Sequence, residues 1–424
     1  MILLRRSFLL AVTAAAALAP SAFAQAGSLP VGGRNGRIIR VTTLKSDGPG
    51  SITEAIKATG PRIVVFEVGG VIDLAKTGLR ITKGDLTIAG QTPPAPGITF
   101  IRGGIEISQN TRSVVINHIA VRPGEAGAAK KSGWECDGIY AYGASDILVA
   151  NCSVSWATDE GLSASGKRFG IDNAGIKVAE WREATSHNIH FTRNIVAEGL
   201  SNSTHSKGEH SKGTLIHDNV RDAHISESLY AHNMERNILF KGGAQGVMTR
   251  CVVYNAGKRF AHYNLHANEW EGRNYVEGNV EILNNAFLAG PSTDGKAAAF
   301  MLGGEGPLVL TMMGNLAIDK TGARIARLGR FGTGEPEFRD LNAIDDRTQP
   351  TRAAMQPMID RVLANCGARP WDRDPIDARI VADVRKGTGR IIDSEQDVGG
   401  YPVRAETHAP FVEAQWNLDT LERR

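Results

Sequence analysis

Between residues 137 and 241 the chain spaces carboxylates and isolated cations in a definite order. Asp137 comes first and the pair Asp159-Glu160 follows. Lys207 comes next, with His205 and His210 around it, and then Arg236 and Lys241. Short β-like runs separate these residues, and each closes on an Asn or Gly turn. Carboxylate oxygens gather hard cations such as Ca²⁺, and lysine or arginine can hold a ligand's own carboxylates. The order of charges therefore suits a catalyst that grips an acidic sugar through a cation. Asp137, Asp159 and Glu160 are the best metal donors, on adjacent predicted rungs. Glu135, two residues before Asp137 and on the same strand face, is a fourth candidate.

The elements that must position these residues form a repeat. Val114-Val115-Ile116-Asn117, Ile147-Leu148-Val149-Ala150-Asn151 and Ile189-His190-Phe191-Thr192-Arg193-Asn194 share one grammar. Leu229-Tyr230, Val247-Met248, Ile282-Leu283-Asn284-Asn285 and Val309-Leu310 continue it. Each run is strand-length and partly alternating, and is often broken by Asn or a small residue before a second apolar pair. A unit too small to close its own core must stack on its neighbours. Asn tolerates the left-handed bend between strands and can stack as an amide ladder. A right-handed parallel β-helix fits best. A propeller needs longer, more regular blades, and a sandwich rarely reaches this length as one unit.

Such a solenoid needs end caps. Ser51-Ile52-Thr53-Glu54 reads as a capping box opening a short helix through Lys57. From about residue 345 the composition turns helical. One helix is predicted from Met355 to Ala364. A second runs from Ile376 to Arg385, with Asp374 at its N-cap, Pro375 at N1 and Gly387 beyond its end. The expected organisation is a leader at 1–24, a β-helix at 25–345 and a helix-and-loop extension at 346–424, packed along the solenoid.

Arg5-Arg6 precede an apolar stretch from Phe8 to Leu18, and Ala22-Phe23-Ala24 supplies a cleavage pattern. The leader resembles a twin-arginine export signal, so a secreted or periplasmic protein is expected. No Cys follows the cleavage pattern, which argues against a lipid anchor. No later run approaches the roughly 20 apolar residues of a membrane span. A net charge of +3 on 424 residues gives no case for nucleic-acid binding. The 48 glycines and 6% aromatic content point to many turns and a lean core. Four scattered cysteines, Cys136, Cys152, Cys251 and Cys366, fit buried free thiols rather than a disulfide scaffold.

Asn151-Cys152-Ser153-Val154-Ser155-Trp156-Ala157-Thr158-Asp159-Glu160 is similar to the Ca²⁺-binding strand region of pectate lyases in polysaccharide lyase family 1. The segments His205 to Gly213, Leu229 to Asn237, Asp377 to Arg385 and Gly389 to Asp393 also resemble that family, in matching order over roughly residues 40–400. The resemblance implies a parallel β-helix lyase that cuts 1,4-linked galacturonan by β-elimination, with Ca²⁺ as cofactor. It makes Lys207 the lysine on the sugar carboxylate and Arg236 the base that takes the C5 proton. Such a base is chemically awkward, because an isolated guanidinium has a pKa above about 12. The chain also departs from the family pattern. A Pro and a second Arg usually follow the catalytic Arg, whereas here the run is Arg236-Asn237-Ile238-Leu239-Phe240-Lys241. Lys241 is expected to replace the second arginine as a point charge rather than a planar fork.

Nine of the eleven histidines lie between His187 and His266. His205, His210 and His232 are expected to line the sugar groove. A zinc reading of His205, His210, His262 and His266 lacks an accompanying HExxH helix. Three rival functions remain. A β-helix glycoside hydrolase could use Asp159 and Glu160, and a lyase for another uronate polymer would share the cations. A non-catalytic binding surface is the third. The expected partner is an acidic polysaccharide, bound by a monomer.

Overall fold

Each turn of the chain contributes a strand to three parallel sheets in this computed structural model. It describes residues 29–168, 175–334, 336–340 and 349–423. The leader and the expected boundary at 345/346 lie outside the described residues. The sheets hold 11, 10 and 9 strands, and each new strand lies beside the equivalent strand of the preceding turn. Apart from a terminal antiparallel pair of Val68 and Gly69 with His408 and Thr407 and two isolated bridges, the pairings among the described strands are parallel. This is the expected right-handed parallel β-helix.

The register explains the apolar grammar. In the first sheet Ile147 pairs with Val114 on one side and Ile189 on the other, and all three are fully buried in the interior. The repeated runs mark one corner, where the first sheet turns into the second. There the expected role of Asn divides between two adjacent positions. The left-handed bend falls on His118, Asn151, Arg193, Glu227, Arg250 and Asn284, at φ of 50–59°. The next residue carries the ladder. Cys152 N donates to Asn194 Oδ1 (2.8 Å), Cys251 N to Asn285 Oδ1 (2.8 Å), and Asn285 N to Asn315 Oδ1 (2.9 Å).

Second-sheet strands such as Ser153–Ser155, Ile195–Ala197 and Leu229–Ala231 are buried on both faces. Their outer face is covered by helices Arg352–Asn365 and Pro375–Lys386, which form one apolar cluster with them. Covering a Leu or Ile in this way contributes about 1.5–3 kcal/mol. The first helix begins three residues before its predicted start because the Thr351 hydroxyl accepts from Ala354 N. The second is capped as expected, by Asp374 at its start and Gly387 at φ 71° at its end. At the other end of the solenoid, Ser51 caps Ile52–Lys57. The capping box is incomplete, since the Glu54 carboxylate accepts from Gly50 N rather than Ser51 N. All four cysteines are free thiols, three of them buried and Cys136 half-buried.

On the outer face of the first sheet, His190 and His224 stack at 4.7 Å. Burial, then the neighbouring His224, pulls His190 down to about 4. Unfolded histidine takes up a proton near pH 6.5. This site's contribution to stability is therefore complete above that pH and is lost as pH falls towards 4. The urea midpoint should drop across that window, and His190→Gln should flatten the decline. An identical pH slope in the variant would contradict this.

Candidate active site

The third sheet places the charged residues in line. Its strands Ile139–Tyr142, Glu160–Ser165, Lys212–Ile216 and Glu235–Lys241 lie side by side. Glu160 is in register with Lys212, and Lys212 with Glu235. Asp137 extends the row, because its Oδ1 accepts from Glu160 N at 3.0 Å. One residue further on, Gly138, Gly161 and Gly213 form a parallel column. A Cβ on Gly138 would lie 2.5 Å from the Gly161 carbonyl oxygen, and one on Gly213 would lie 2.5 Å from that of Arg236. Stacked carbonyls therefore leave no room for side chains. Arg236 occupies the next place in this column, in the left-handed region at φ 58°. Its guanidinium lies against the Glu160 carboxylate.

The expected metal donors come together. Ligand oxygens of Asp137, Asp159 and Glu160 all lie within 4.8 Å of one another. Asp137 Oδ2 also accepts from the Ser163 hydroxyl at 2.7 Å. Burial, then the adjacent Asp159 charge, holds the Asp137 carboxyl well above the usual carboxylate range. Asp159 moves the other way: burial opposes its ionisation, but His210 Nε2 at 2.7 Å and nearby cations pull it below the normal value. Three clustered carboxylates, one of them resisting its own charge, form a hard oxygen donor set that suits Ca²⁺. Glu135 does not join them, because Ser206 and His205 engage its carboxylate.

The histidines serve as donors here. His205 and His210 stack at 3.7 Å with 13° between their planes. Lys207 N donates to His205 Nδ1 at 3.1 Å, so a neutral His205 carries its proton on Nε2, which faces Asp159 at 3.8 Å. A ring nitrogen bearing that proton cannot ligate zinc. His232 is elsewhere. It is fully buried beneath the C-terminal helix, bonded to Asn255 Nδ2 at 2.9 Å and lying 3.6 Å from Asp383. Its expected place in the sugar groove is therefore corrected.

Two lysines also differ from expectation. Lys207 is exposed in the loop beside the acid cluster, not in the charged row. Lys212 fills that row instead, buried between Glu160 and Glu235, with its ammonium against Glu235. Burial, with Arg259 and Lys258 nearby, pulls it down to about 7, while the Glu209 and Asp159 carboxylates oppose the shift. Sequence reasoning missed Lys212, although a lysine just before a column glycine was a usable signal. Lys241 is buried against Asp218 (3.1 Å) and Glu269, so its charge is already matched. Beside the acids, a cleft of about 260 Å³ is lined by Tyr140, Tyr142, Ser163 and Arg168.

The coil is a parallel β-helix that carries an acid cluster and cations on one sheet. No family model matches the chain. Curated relatives do match it. The chain is 31% identical to the probable pectate lyase C of Aspergillus terreus over 384 residues, covering 88% of this chain and 79% of the relative. It is also 31% identical to the protein of the same name from Emericella nidulans over 382 residues, covering 88% and 78%. The chain belongs to the pectate lyase family. Pectate lyase II from Xanthomonas campestris superposes with a TM-score of 0.43 at 13% identity, covering 81% of this chain and 98% of that one. That looser likeness adds nothing to the assignment.

Proposed function

We propose that this protein is an exported, Ca²⁺-dependent lyase that cleaves 1,4-linked polygalacturonate by β-elimination. The observation that carries this reading is the meeting of Asp137, Asp159 and Glu160 with Arg236 across adjacent strands. Asp137, Asp159 and Glu160 would hold the cation, which when bound supplies positive charge for the enolate developing at the sugar carboxylate. Lys212, rather than Lys207, would leave Glu235, which keeps its pair with Arg259, and hold the C6 carboxylate from within the charged row. Arg236 turns from Glu160 to the sugar and takes the C5 proton. The C5–H electrons form the C4–C5 double bond, the C4–O bond breaks with its electron pair on oxygen, and that oxygen takes a proton from water, which the C5 proton released by Arg236 to solvent restores. Burial pulls the Arg236 pKa below its ordinary value against the pull of Asp159 and Asp137, which makes a guanidine base easier to reach. His205 and His210 keep Asp159 ionised and oriented. Residues 1–24 would direct export, residues 346–424 would act as a packed extension of the catalytic coil, and the protein would work as a monomer.

A hydrolase is less well supported. Carboxyl groups flanking an inverting water stand about 6.5–9.5 Å apart, whereas these oxygens cluster within 4.8 Å. Mass spectrometry of the digest separates the two: elimination leaves products one water lighter than hydrolysis does. Products of hydrolytic mass would end the lyase reading.

Two further outcomes follow. Lys212→Ala should lower kcat/KM about a hundredfold, while Lys207→Ala should leave steady-state rates within about threefold. The reverse order would return the role to Lys207. Calcium at about a hundred times its Kd should stabilise the wild type by about 2.7 kcal/mol and leave Asp159→Asn unmoved in a thermal melt. Equal stabilisation of both proteins would remove Asp159 from the ligand set.

A further inference from the structure

Two large clefts lie away from the acid cluster, on the outer face of the first sheet and under the C-terminal tail. One encloses about 660 Å³ and is lined by Trp371, Arg369, Phe411, Trp416 and Arg423. It meets a second cleft of about 660 Å³ at His118 and Gln91, and this second cleft runs along the first sheet past Arg193 and Arg250. Each has a volume typical of small-ligand sites, about 300–1,000 Å³.

Trp371 is 57% exposed, an unusual position for so large an apolar surface. It is nonetheless held in place, with the His118 ring at 5.0 Å and the Arg369 guanidinium at 5.3 Å. In the same cleft, Trp416 stacks on Phe411 at 5.8 Å and 25°. Arg369 shares one Nη with Asp372 (3.1 Å), and Arg423 shares one with Gln415 (3.2 Å). Gln91 donates to Leu421 O at 3.1 Å, and its buried Oε1 has no hydrogen-bond partner among the described residues. The trough is therefore lined by two tryptophans and two arginines, with Arg369 Nε and Nη1 buried and unpartnered among the described residues and an unmet acceptor at the junction of the clefts.

We propose that this trough is a second, non-catalytic binding site for a uronate polysaccharide chain. Pyranose faces would lie on Trp371 and Trp416, and sugar carboxylates would be read by Arg369 and Arg423, whose planar forks match that group. A sugar hydroxyl would donate to Gln91 Oε1. The choice of a uronate polymer rests on the lyase reading; the trough itself does not. Its role is to hold a distant stretch of polymer while the third sheet cuts another.

The test uses the full chain and its Trp371→Ala and Arg369→Ser variants, both altered outside the acid cluster. Retention on immobilised polygalacturonate should fall about tenfold in each, and turnover of trigalacturonate, too short to span both sites, should not change. Unchanged retention overturns the proposal. So does equal retention of the wild type on neutral galactan, because the arginines would then read nothing. If the wild type makes no unsaturated product from either substrate, the lyase reading fails, and the retention series still decides the trough.

Discussion

Arg236→Lys is expected to lower kcat on polygalacturonate by about 10²–10⁴-fold, the usual worth of a positioned proton acceptor, with KM nearly unchanged. The variant keeps a positive charge beside Glu160, so the acid cluster is not left unbalanced. What it loses is the planar guanidine at the place that follows Gly138, Gly161 and Gly213 in the column. Lysine places a single, more strongly hydrated ammonium there. A variant that turned over at the wild-type rate would move the base elsewhere. A loss confined to KM would make Arg236 a binding residue only.

The second large effect concerns stability. Arg122 is fully buried, donating to Asp374 (2.7 Å) and Asp377 (3.1 Å) from the same Nη. Asp374 caps the helix Pro375–Lys386, and Asp377 also receives the Ser153 hydroxyl from the second sheet. Burial, then the neighbouring Asp374 charge, raises Asp377 to about 6. Arg122→Met would leave the buried Asp377 and the half-buried Asp374 without the cation they share, at a cost of about 3–5 kcal/mol. The double variant Arg122→Met/Asp377→Leu should recover part of that loss, because buried ionic groups exchanged together for apolar ones are often tolerated. Urea unfolding measures both. A single variant within 1 kcal/mol of wild type, by the same estimate of buried-pair energetics, would show that this clamp does not hold the tail.

How legible each part was follows from its physics. The corner between the first and second sheets recurs almost without insertions, so Val114, Ile147 and Ile189 announce themselves by spacing. The third-sheet strands follow loops of unequal length, such as the two segments leading to Glu160 and to Lys212, and their outward faces are polar. The apolar pattern that reveals a strand is therefore weakest on the sheet that carries the site. Asp137, Asp159 and Glu160 could still be grouped, because one cation imposes one residue type on all three. Lys207 and Lys212 lie in the same short segment, and only the register with Glu160 and Glu235 separates them. His232 was indistinguishable from His205 and His210 in sequence. Its fate depends on the C-terminal helix that covers it, a contact across more than a hundred residues. Lys241 reads as a free charge until Asp218 and Glu269 fold against it.

The most direct measurement follows ultraviolet absorbance as the purified protein meets polygalacturonate with calcium, and again after a chelator is added. The account requires a rising signal from a conjugated unsaturated uronide, stopped by chelation and restored by calcium. New reducing ends without absorbance, or absorbance indifferent to the chelator, would contradict it.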